Sequence, residues 1–317
     1  MHRRDFLTTA AGLAGASLAN AHIGGHLDEA GNEMITRQIP SSGEALPVIG
    51  LGTSGPFEVG AEDAVRARLR EVLQAFFASG ATVIDTSPMY STAEAVLGDL
   101  LTPAQQKLVF MATKVWTPKS AGNATELGIE QMTRSLQLMR RPKVELMQVH
   151  NLVDLDAHLA TLRQWREAGK IKYIGITHYT VGSYPQLIDI IQREKLDFVQ
   201  FNYSPVTTEA EEKLLPLCAD KGVAVLVNRA FEDGKLFAQV RGKAVPDWAA
   251  EFGATSWAQV FLKYVIANPA VTCVIPATGK LRNMLDNLAA GRGELPNSAQ
   301  RARIVATGSV AYGMSGL

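Results

Sequence analysis

Four side chains that can exchange protons lie at or just beyond the ends of apolar segments. Asp85, Lys114 and His150 each end, or nearly end, such a segment, and Tyr90 follows Asp85 by five residues. A carboxylate, an ammonium group, an imidazole and a phenol together form a set suited to general acid–base catalysis. Each residue taken alone also has a structural explanation. Asp85 could cap the following turn, Lys114 could extend its ammonium group to solvent, and His150 could be a buried histidine with hydrogen-bond partners. Their occurrence on successive segments favours one shared catalytic site.

Short β-branched segments alternate along the chain with segments of helical period. A hairpin over residues 35–40, with residues 41–43 as its turn, precedes them. The predicted strands are residues 48–53, 82–86, 108–114, 144–150, 172–177, 198–202, 223–228 and 271–275. The predicted helices are residues 62–79, 93–101, 124–140, 156–168, 183–193, 209–221, 256–268 and 282–290.

The strands are apolar on both faces and each precedes a helix, which indicates a parallel sheet covered on all sides. An open doubly wound sheet has the same pattern. Eight units, with no G-x-G-x-x-G turn after any strand, favour instead a closed (β/α)₈ TIM barrel, here with an N-terminal β-hairpin. Active sites of such barrels lie at the C-terminal ends of the strands. Asp85, Lys114 and His150 are therefore predicted to converge.

Composition excludes several classes of protein. The 317 residues are 47% hydrophobic, with 31 Lys and Arg against 31 Asp and Glu. This is typical of a folded domain, and zero net charge gives no reason to expect nucleic acid or an anionic membrane as partner. Cys218 and Cys273 are predicted to be buried thiols, and neither lies in a metal-binding pattern. A small ligand and no metal are expected.

The N-terminus is typical of an export signal. Arg3 and Arg4 precede an apolar segment, residues 6–19, and an A-x-A cleavage pattern ends at Ala21. The paired arginines predict a twin-arginine signal peptide over residues 1–21 and a barrel domain over residues 22–317, exported to the periplasm. An ordinary signal peptide or a short anchor is the alternative. No later segment is apolar enough to cross a membrane, so no stable insertion is expected after cleavage.

From the hairpin through Asn287, the chain resembles the aldo-keto reductase family. The matching motifs are Gly50, Leu51, Gly52 and Thr53; residues 80–90 with Ile84, Asp85 and Thr86; Thr113 and Lys114; Gln148, Val149 and His150; Gly169, Lys170 and Ile171; Ile174, Gly175 and Ile176; Ile275 and Pro276; and Asp286 and Asn287. The resemblance includes every position of the family's catalytic tetrad, in order, on Asp85, Tyr90, Lys114 and His150.

The resemblance implies NADPH-dependent reduction of aldehydes or ketones to alcohols. Hydride transfer builds negative charge on the carbonyl oxygen, which needs a proton donor and hydrogen bonds. Tyr90 is the expected donor, and Lys114 is expected to lower its pKa by stabilising the phenolate. Asp85 would hold the ammonium group, and His150 would orient the carbonyl. The hydride must come from a cofactor.

The resemblance also places the cofactor. Thr177, His178 and Gln200 fall where the family holds the nicotinamide carboxamide, while Asn228 replaces a stacking tyrosine. Arg229 is a partner either for the pyrophosphate or for a carboxylate at the barrel rim. The remaining predicted cofactor residues are Thr53, Phe231, Gly234, Thr278, Lys280, Arg282, Asp286 and Asn287. Lys280 and Arg282 favour NADPH over NADH, because they supply charge for a 2′-phosphate.

Phe57, Met89 and Trp116 follow the first three predicted strands and suit an apolar substrate pocket, or packing of the rim. Two other functions stay open. One is a dinucleotide-binding sensory or regulatory barrel with little turnover, supported by the altered residues 228–230. The other is a cofactor-free barrel isomerase or aldolase, since fold alone does not fix function. The complete tetrad argues against the second.

Overall fold

The computed structural model describes residues 33–118 and 122–311. The predicted signal peptide, residues 1–21, lies outside these ranges. Within them, the chain begins with the predicted antiparallel hairpin, in which β1 (Thr36–Gln38) pairs with β2 (Ala45–Pro47). No helix of the described part of the chain combines the length and apolarity needed to cross a membrane.

Eight parallel strands follow the hairpin, and each pairs with its neighbours in sequence. They are β3 (Leu51–Gly52), β4 (Val83–Asp85), β5 (Phe110–Val115), β6 (Val144–His150), β7 (Ile171–Thr177), β8 (Phe198–Asn202), β9 (Ala224–Asn228) and β10 (Val271–Val274). The Gly50 amide donates to the Val274 carbonyl at 2.8 Å, and the Gly52 amide to the Pro276 carbonyl at 3.2 Å, so the last strand meets the first. The predicted (β/α)₈ barrel is confirmed.

The first barrel strand depends on two glycines. A Cβ atom at Gly50 would lie 2.8 Å from the Val83 carbonyl oxygen, and one at Gly52 would lie 2.7 Å from the Ile275 carbonyl oxygen. Real Cβ atoms do not approach so closely. Glycine at both positions therefore lets this strand contact β4 on one side and the end of β10 on the other.

Helices cover the barrel. They are α1 (Asp63–Ala78), α2 (Ala93–Leu100), α3 (Pro103–Leu108), α4 (Ala124–Leu138), α5 (Leu155–Glu167), α6 (Tyr184–Arg193), α7 (Leu214–Lys221), α8 (Lys235–Gln239), α9 (Trp257–Ile266), α10 (Leu281–Ala289) and α11 (Ser298–Ala311). Three of these helices, α3, α8 and α11, were not predicted from the sequence. A strand was predicted to begin at Leu108, but Leu108 is the last residue of α3, a short helix that begins with Pro103 and a capping box between Thr102 and Gln105.

The barrel interior is packed with apolar side chains near its N-terminal end. Phe110 stacks on Tyr173 with ring centroids 5.9 Å apart, and Tyr173 meets Phe198 at 5.5 Å. Ile39 and Leu46, from the hairpin region, belong to the same buried cluster. The hairpin therefore closes this end of the barrel, and the C-terminal end carries the polar residues.

Candidate active site

Neighbouring strands bring the predicted tetrad to one end of the barrel. Asp85 is the last residue of β4, Lys114 lies next to last in β5, and His150 ends β6. In the sheet register, Asp85 lies beside Ala112 and Lys114 lies beside Gln148. The turn after β4 places Tyr90, whose amide donates to the Ser87 carbonyl at 3.0 Å. Parallel pairing in register therefore assembles the four side chains.

Lys114 and Asp85 form a buried ion pair at the centre of the site. Lys114 Nζ lies 2.5 Å from Asp85 Oδ1 and donates to the Thr86 carbonyl at 2.8 Å. The Lys114 side chain is fully buried. Its ammonium group lies 4.9 Å from the centre of the Tyr90 ring. The phenol therefore sits beside a positive charge that Asp85 holds in place.

Burial opposes the charge of Lys114 in setting the pKa of Tyr90. Burial raises the pKa of Tyr90, Lys114 lowers it, and the net direction is upward. Lys114 thus acts on the pKa of Tyr90 in the expected direction, but desolvation outweighs this attraction, so the net pKa of Tyr90 is raised rather than lowered. Burial also works against the charged form of Lys114, but Asp85 and Tyr90 more than offset it and raise the pKa of Lys114. The resting site holds a neutral phenol and an ammonium group.

His150 is a neutral imidazole at the edge of this cluster. Burial, followed by the nearby charge of Lys114, lowers the pKa of His150 to about 3. Its ring meets the Tyr90 ring edge to face, with centroids 6.1 Å apart. Ser87 Oγ lies 3.0 Å from His150 Nδ1. A neutral imidazole here is suited to hydrogen bonding rather than to carrying a charge.

Amide side chains hold the second oxygen of Asp85. Gln148 Nε2 and Gln200 Nε2 donate to Asp85 Oδ2 at 3.0 and 2.9 Å. Gln200 Oε1 in turn accepts from Thr177 Oγ1 at 3.0 Å and from Asn228 Nδ2 at 3.2 Å. The predicted residues Thr177, Gln200 and Asn228 therefore lie together and connect to Asp85. The sequence analysis assigned no role to Gln148. A glutamine within an otherwise apolar strand could have indicated that its side chain bonds another buried polar group.

A cavity of about 860 Å³ opens over this cluster. It has the size of a cofactor or ligand site. Eleven predicted site residues line it: Thr53, Asp85, Met89, Tyr90, His150, Thr177, Gln200, Asn228, Arg229, Phe231 and Gly234. The lining residues that the sequence analysis did not predict include Glu58, Asn151 and Tyr179, in loops beyond strand ends, and Phe237, in the short helix α8. No strand pattern marks such loop residues.

Two of the three predicted substrate-pocket residues lie elsewhere. Phe57 is fully buried in the hydrophobic core. Trp116 is half-buried, and its backbone amide donates to Gln131 Oε1 at 3.2 Å. Neither lines the cavity, whereas Met89 lines it and is 44% exposed. An apolar residue in a loop after a strand can therefore face either the cavity or the hydrophobic core, and its position in the sequence does not determine which.

The loop after β9 has an unusual backbone. Arg229, Glu232 and Asp233 all have positive φ angles, of 53°, 50° and 53°. Arg229 Nη2 pairs with Asp233 Oδ2, and its Nη1 donates to the Tyr179 carbonyl at 3.3 Å. The guanidinium thus has the rim carboxylate partner that was one of its two predicted roles, and it still lines the cavity.

The other predicted cofactor residues lie outside the cavity lining. His178 Nδ1 accepts from the Tyr179 amide at 2.9 Å. Thr278 Oγ1 accepts from the Lys280 amide at 3.2 Å, and Asp286 Oδ1 accepts from Gln259 Nε2 at 2.7 Å. Two more are exposed, Lys280 and Arg282, and Asn287 is buried. In the described ranges, no group of three His, Cys, Asp or Glu side chains forms a metal site.

The sequence profile of the Aldo/keto reductase family matches residues 48–305. The chain belongs to this family. Membership makes it an NAD(P)H-dependent oxidoreductase, as the resemblance implied. A methylglyoxal reductase of Escherichia coli (strain K12) is 27% identical over 277 residues, which cover 86% of this chain and 94% of that protein.

Two further proteins are similar to this one. An NADH-specific methylglyoxal reductase of Escherichia coli (strain K12) is 26% identical over 193 residues, covering 54% of this chain and 58% of that protein. Among solved structures, an aldo-keto reductase from Klebsiella pneumoniae in complex with NADPH superposes with a TM-score of 0.70. It is 22% identical, and the match covers 86% of this chain and 94% of that one. This likeness shows the fold.

Proposed function

We propose that this protein reduces small aldehydes or ketones to alcohols with NADPH, and that Tyr90 donates the proton. The observation that carries the proposal is the cluster of Asp85, Tyr90, Lys114 and His150 at the cavity of about 860 Å³. Two relatives are named as methylglyoxal reductases, which supports a small carbonyl compound as substrate.

The cavity residues fit a dinucleotide. Three buried polar atoms on residues that line it have no hydrogen-bond partner in the described structure: Asn151 Oδ1, Asn228 Oδ1 and Arg229 Nε. Buried polar atoms are rarely left unpaired, so a polar ligand is expected here. Thr177, Gln200 and Asn228 would hold the nicotinamide carboxamide, and Arg229 would face the pyrophosphate. When bound, the cofactor supplies the hydride.

The chain's own residues supply the proton and stabilise charge. As the carbonyl oxygen becomes an alkoxide, the Tyr90 hydroxyl transfers its proton to that oxygen and a phenolate remains. The Lys114 ammonium group stabilises the phenolate, and Asp85 keeps that ammonium group in place. Neutral His150 donates a hydrogen bond to the same oxygen. The raised pKa of Tyr90 keeps the phenol protonated before each turnover.

NADPH is proposed over NADH. Lys280 and Arg282 are exposed beside the start of α10, where they can meet a 2′-phosphate. The Klebsiella structure holds NADPH, whereas one relative is NADH-specific. Titrating the purified protein with each dinucleotide gives the preference directly, and tighter binding of NADH would overturn it.

The decisive test is Tyr90→Phe. We expect this variant to lose NADPH oxidation with a panel of aldehydes by at least about a thousandfold, while its affinity for NADPH changes little. Comparable turnover in the variant would show that the proton donor is another group. Absence of dinucleotide binding by the wild-type protein would contradict the whole proposal.

A regulatory barrel that binds a dinucleotide with little turnover is the second candidate. It is favoured by Asn228, which bonds Gln200 and the His178 carbonyl at a position where the family often has a stacking tyrosine. Tight binding without oxidation of NADPH would support it, and rapid turnover of aldehydes would exclude it.

We also propose export by the twin-arginine route, on the evidence of Arg3, Arg4 and the apolar segment that follows. That route carries folded proteins, so the enzyme would fold around its cofactor before export. Cell fractionation tests this: the processed protein should lie in the periplasm and carry a dinucleotide. Retention in the cytoplasm, or a periplasmic pool without dinucleotide, would contradict it.

A further inference from the structure

Ser87 is a buried hydroxyl that contacts His150. It lies in the turn between β4 and Tyr90 and has no exposed surface. Its Oγ is 3.0 Å from His150 Nδ1 and 3.1 Å from the Met89 amide nitrogen. Sequence reasoning gave this serine no role, because a serine in a turn is ordinary.

These two contacts fix the direction of the hydrogen bonds. The Met89 amide can only donate, so Ser87 Oγ accepts from it. Among the described residues, Nδ1 of His150 is the acceptor within reach of the Ser87 hydroxyl hydrogen. A buried hydroxyl that lacks an acceptor is costly, so the hydroxyl donates to Nδ1. Nδ1 must then be unprotonated.

The tautomer of His150 follows. A neutral imidazole carries one ring hydrogen, and an unprotonated Nδ1 leaves that hydrogen on Nε2. His150 lines the cavity beside Tyr90, and no hydrogen bond within the described chain occupies Nε2. An Nε2–H group is a donor to a carbonyl oxygen, whereas the other tautomer would turn a lone pair toward it.

We propose that Ser87 is a positioning residue that holds His150 in the tautomer with its hydrogen on Nε2, ready to donate to the substrate carbonyl. The inference rests on the proposed role of His150 in carbonyl reduction. Ser87 itself touches neither substrate nor cofactor in this mechanism. It acts through the ring that it orients.

A second buried pair of a hydroxyl and an imidazole lies elsewhere in the described part of the chain. Thr117 Oγ1 lies 3.0 Å from His158 Nε2 and donates to Asp154 Oδ2 at 2.8 Å, and both Thr117 and His158 are buried. Neither lines the cavity. The variant Thr117→Val therefore removes a buried hydroxyl from a histidine with little change of volume, without touching His150. It controls for the general cost of losing a buried hydroxyl next to a histidine, and it is the more severe change because the bond to Asp154 is lost as well.

The test is long-range ¹H–¹⁵N NMR of the histidine rings in the full-length protein, without cofactor. In the wild type, His150 should show an unprotonated Nδ1 and a protonated Nε2. In Ser87→Ala, the two tautomers should interconvert, so both nitrogens should shift toward intermediate values. In Thr117→Val, the signals of His150 should not change.

Kinetics provide the second measurement. We expect kcat/KM for an aldehyde to fall about tenfold in Ser87→Ala, through kcat, with the Kd for NADPH unchanged. Thr117→Val should stay within about twofold of the wild type. Ser87→Thr keeps the hydroxyl and should restore the wild-type His150 signals.

Several outcomes would overturn the inference. A protonated Nδ1 in the wild-type spectrum would do so, even if Ser87→Ala does not fold. So would wild-type His150 signals and kcat/KM in a folded Ser87→Ala protein. Failure of the proposed function is distinguishable, because it would appear as full activity in Tyr90→Phe whatever the tautomer of His150.

Discussion

The same strands form both ends of the barrel interior, but the side chains at one end are mainly apolar and those at the other end are polar and charged. The N-terminal end packs Phe110, Tyr173 and Phe198 under the hairpin. The C-terminal end buries the Lys114–Asp85 ion pair, with Gln148 and Gln200 bonded to the carboxylate. Apolar burial stabilises the first end. Burial of the ion pair at the second end costs desolvation free energy, which the attraction between the charges and their hydrogen bonds must offset.

This difference indicates that the closed end contributes mainly to stability and the open end to both stability and catalysis. At the closed end, the shape of the side chains matters most, and the Tyr173 hydroxyl is bonded to Glu44 and Ser42 at the surface rather than to the barrel interior. At the open end, each polar group depends on the others, so the loss of one leaves another unpaired. Substitutions at the open end should therefore affect both activity and stability, and those at the closed end should affect stability alone.

The largest effect is expected from Lys114→Met. It leaves the Asp85 carboxylate buried without its ammonium partner and removes the charge beside Tyr90. We expect reduction to fall by a thousandfold or more, on the order of the contribution of a general acid and its support. The free energy of unfolding should fall by about 3 to 5 kcal/mol, measured by denaturant titration.

Lys263→Met is the matched control. Lys263 is also buried, but it donates to the carbonyls of Arg292 and Glu294 at 2.6 and 2.7 Å, away from the cavity. This variant should lose stability and retain kcat/KM. Equal losses of activity in both variants would mean that the open end is no more catalytic than the rest of the core.

Phe198→Ala tests the closed end. The side chain is fully buried between Phe110 and Tyr173, so its removal should lower the free energy of unfolding by about 3 to 5 kcal/mol. Below the unfolding temperature, kcat/KM should stay within about twofold of the wild type. A large fall in kcat/KM in the folded variant would contradict the separation of the two ends.

The smallest effect is a pH dependence that arises at the open end. The pKa of His150 is lowered to about 3 in the folded protein, whereas an unfolded histidine has a pKa near 6.5. Between these values the unfolded state binds a proton that the folded state does not. Stability from this group is therefore complete above pH 6.5 and is lost as the pH falls toward 3, by up to about 1.4 kcal/mol per pH unit.

The measurement compares the wild type with His150→Gln. Urea unfolding at pH 7 and at pH 5 should show a steeper fall in stability for the wild type. Identical slopes in the two proteins would show that His150 is not a buried neutral group. The aromatic residues of the closed end do not titrate between pH 5 and pH 7, so they do not contribute to the difference between the two proteins.

Much of the fold could be predicted because its signals are local. Alternation of apolar strands and helices predicted the barrel. The end of α7 at Gly222, with φ of 64°, has an equally local cause, because glycine favours this conformation. The short helix α3 was missed because its six residues carry no helical period and its capping box lies next to a strand.

The site was predicted in part. Asp85, Lys114 and His150 end apolar strands, so their convergence follows from the parallel order of the sheet. Met89 and Phe57 are both apolar residues in loops that follow strands, yet Met89 lines the cavity and Phe57 is buried in the core. Loop conformation decides between such cases, and the sequence pattern does not encode it.

The sequence by itself determined the barrel, the hairpin and the residues that meet at the open end, because strand order and residue type suffice for these. The tertiary structure decided the balance of forces among them. Burial overcomes the charge of Lys114 and raises the pKa of Tyr90, and Ser87 becomes the partner of His150 Nδ1. Desolvation and hydrogen-bond direction depend on atoms that the fold brings together from distant segments, so they cannot be predicted from the sequence of one segment.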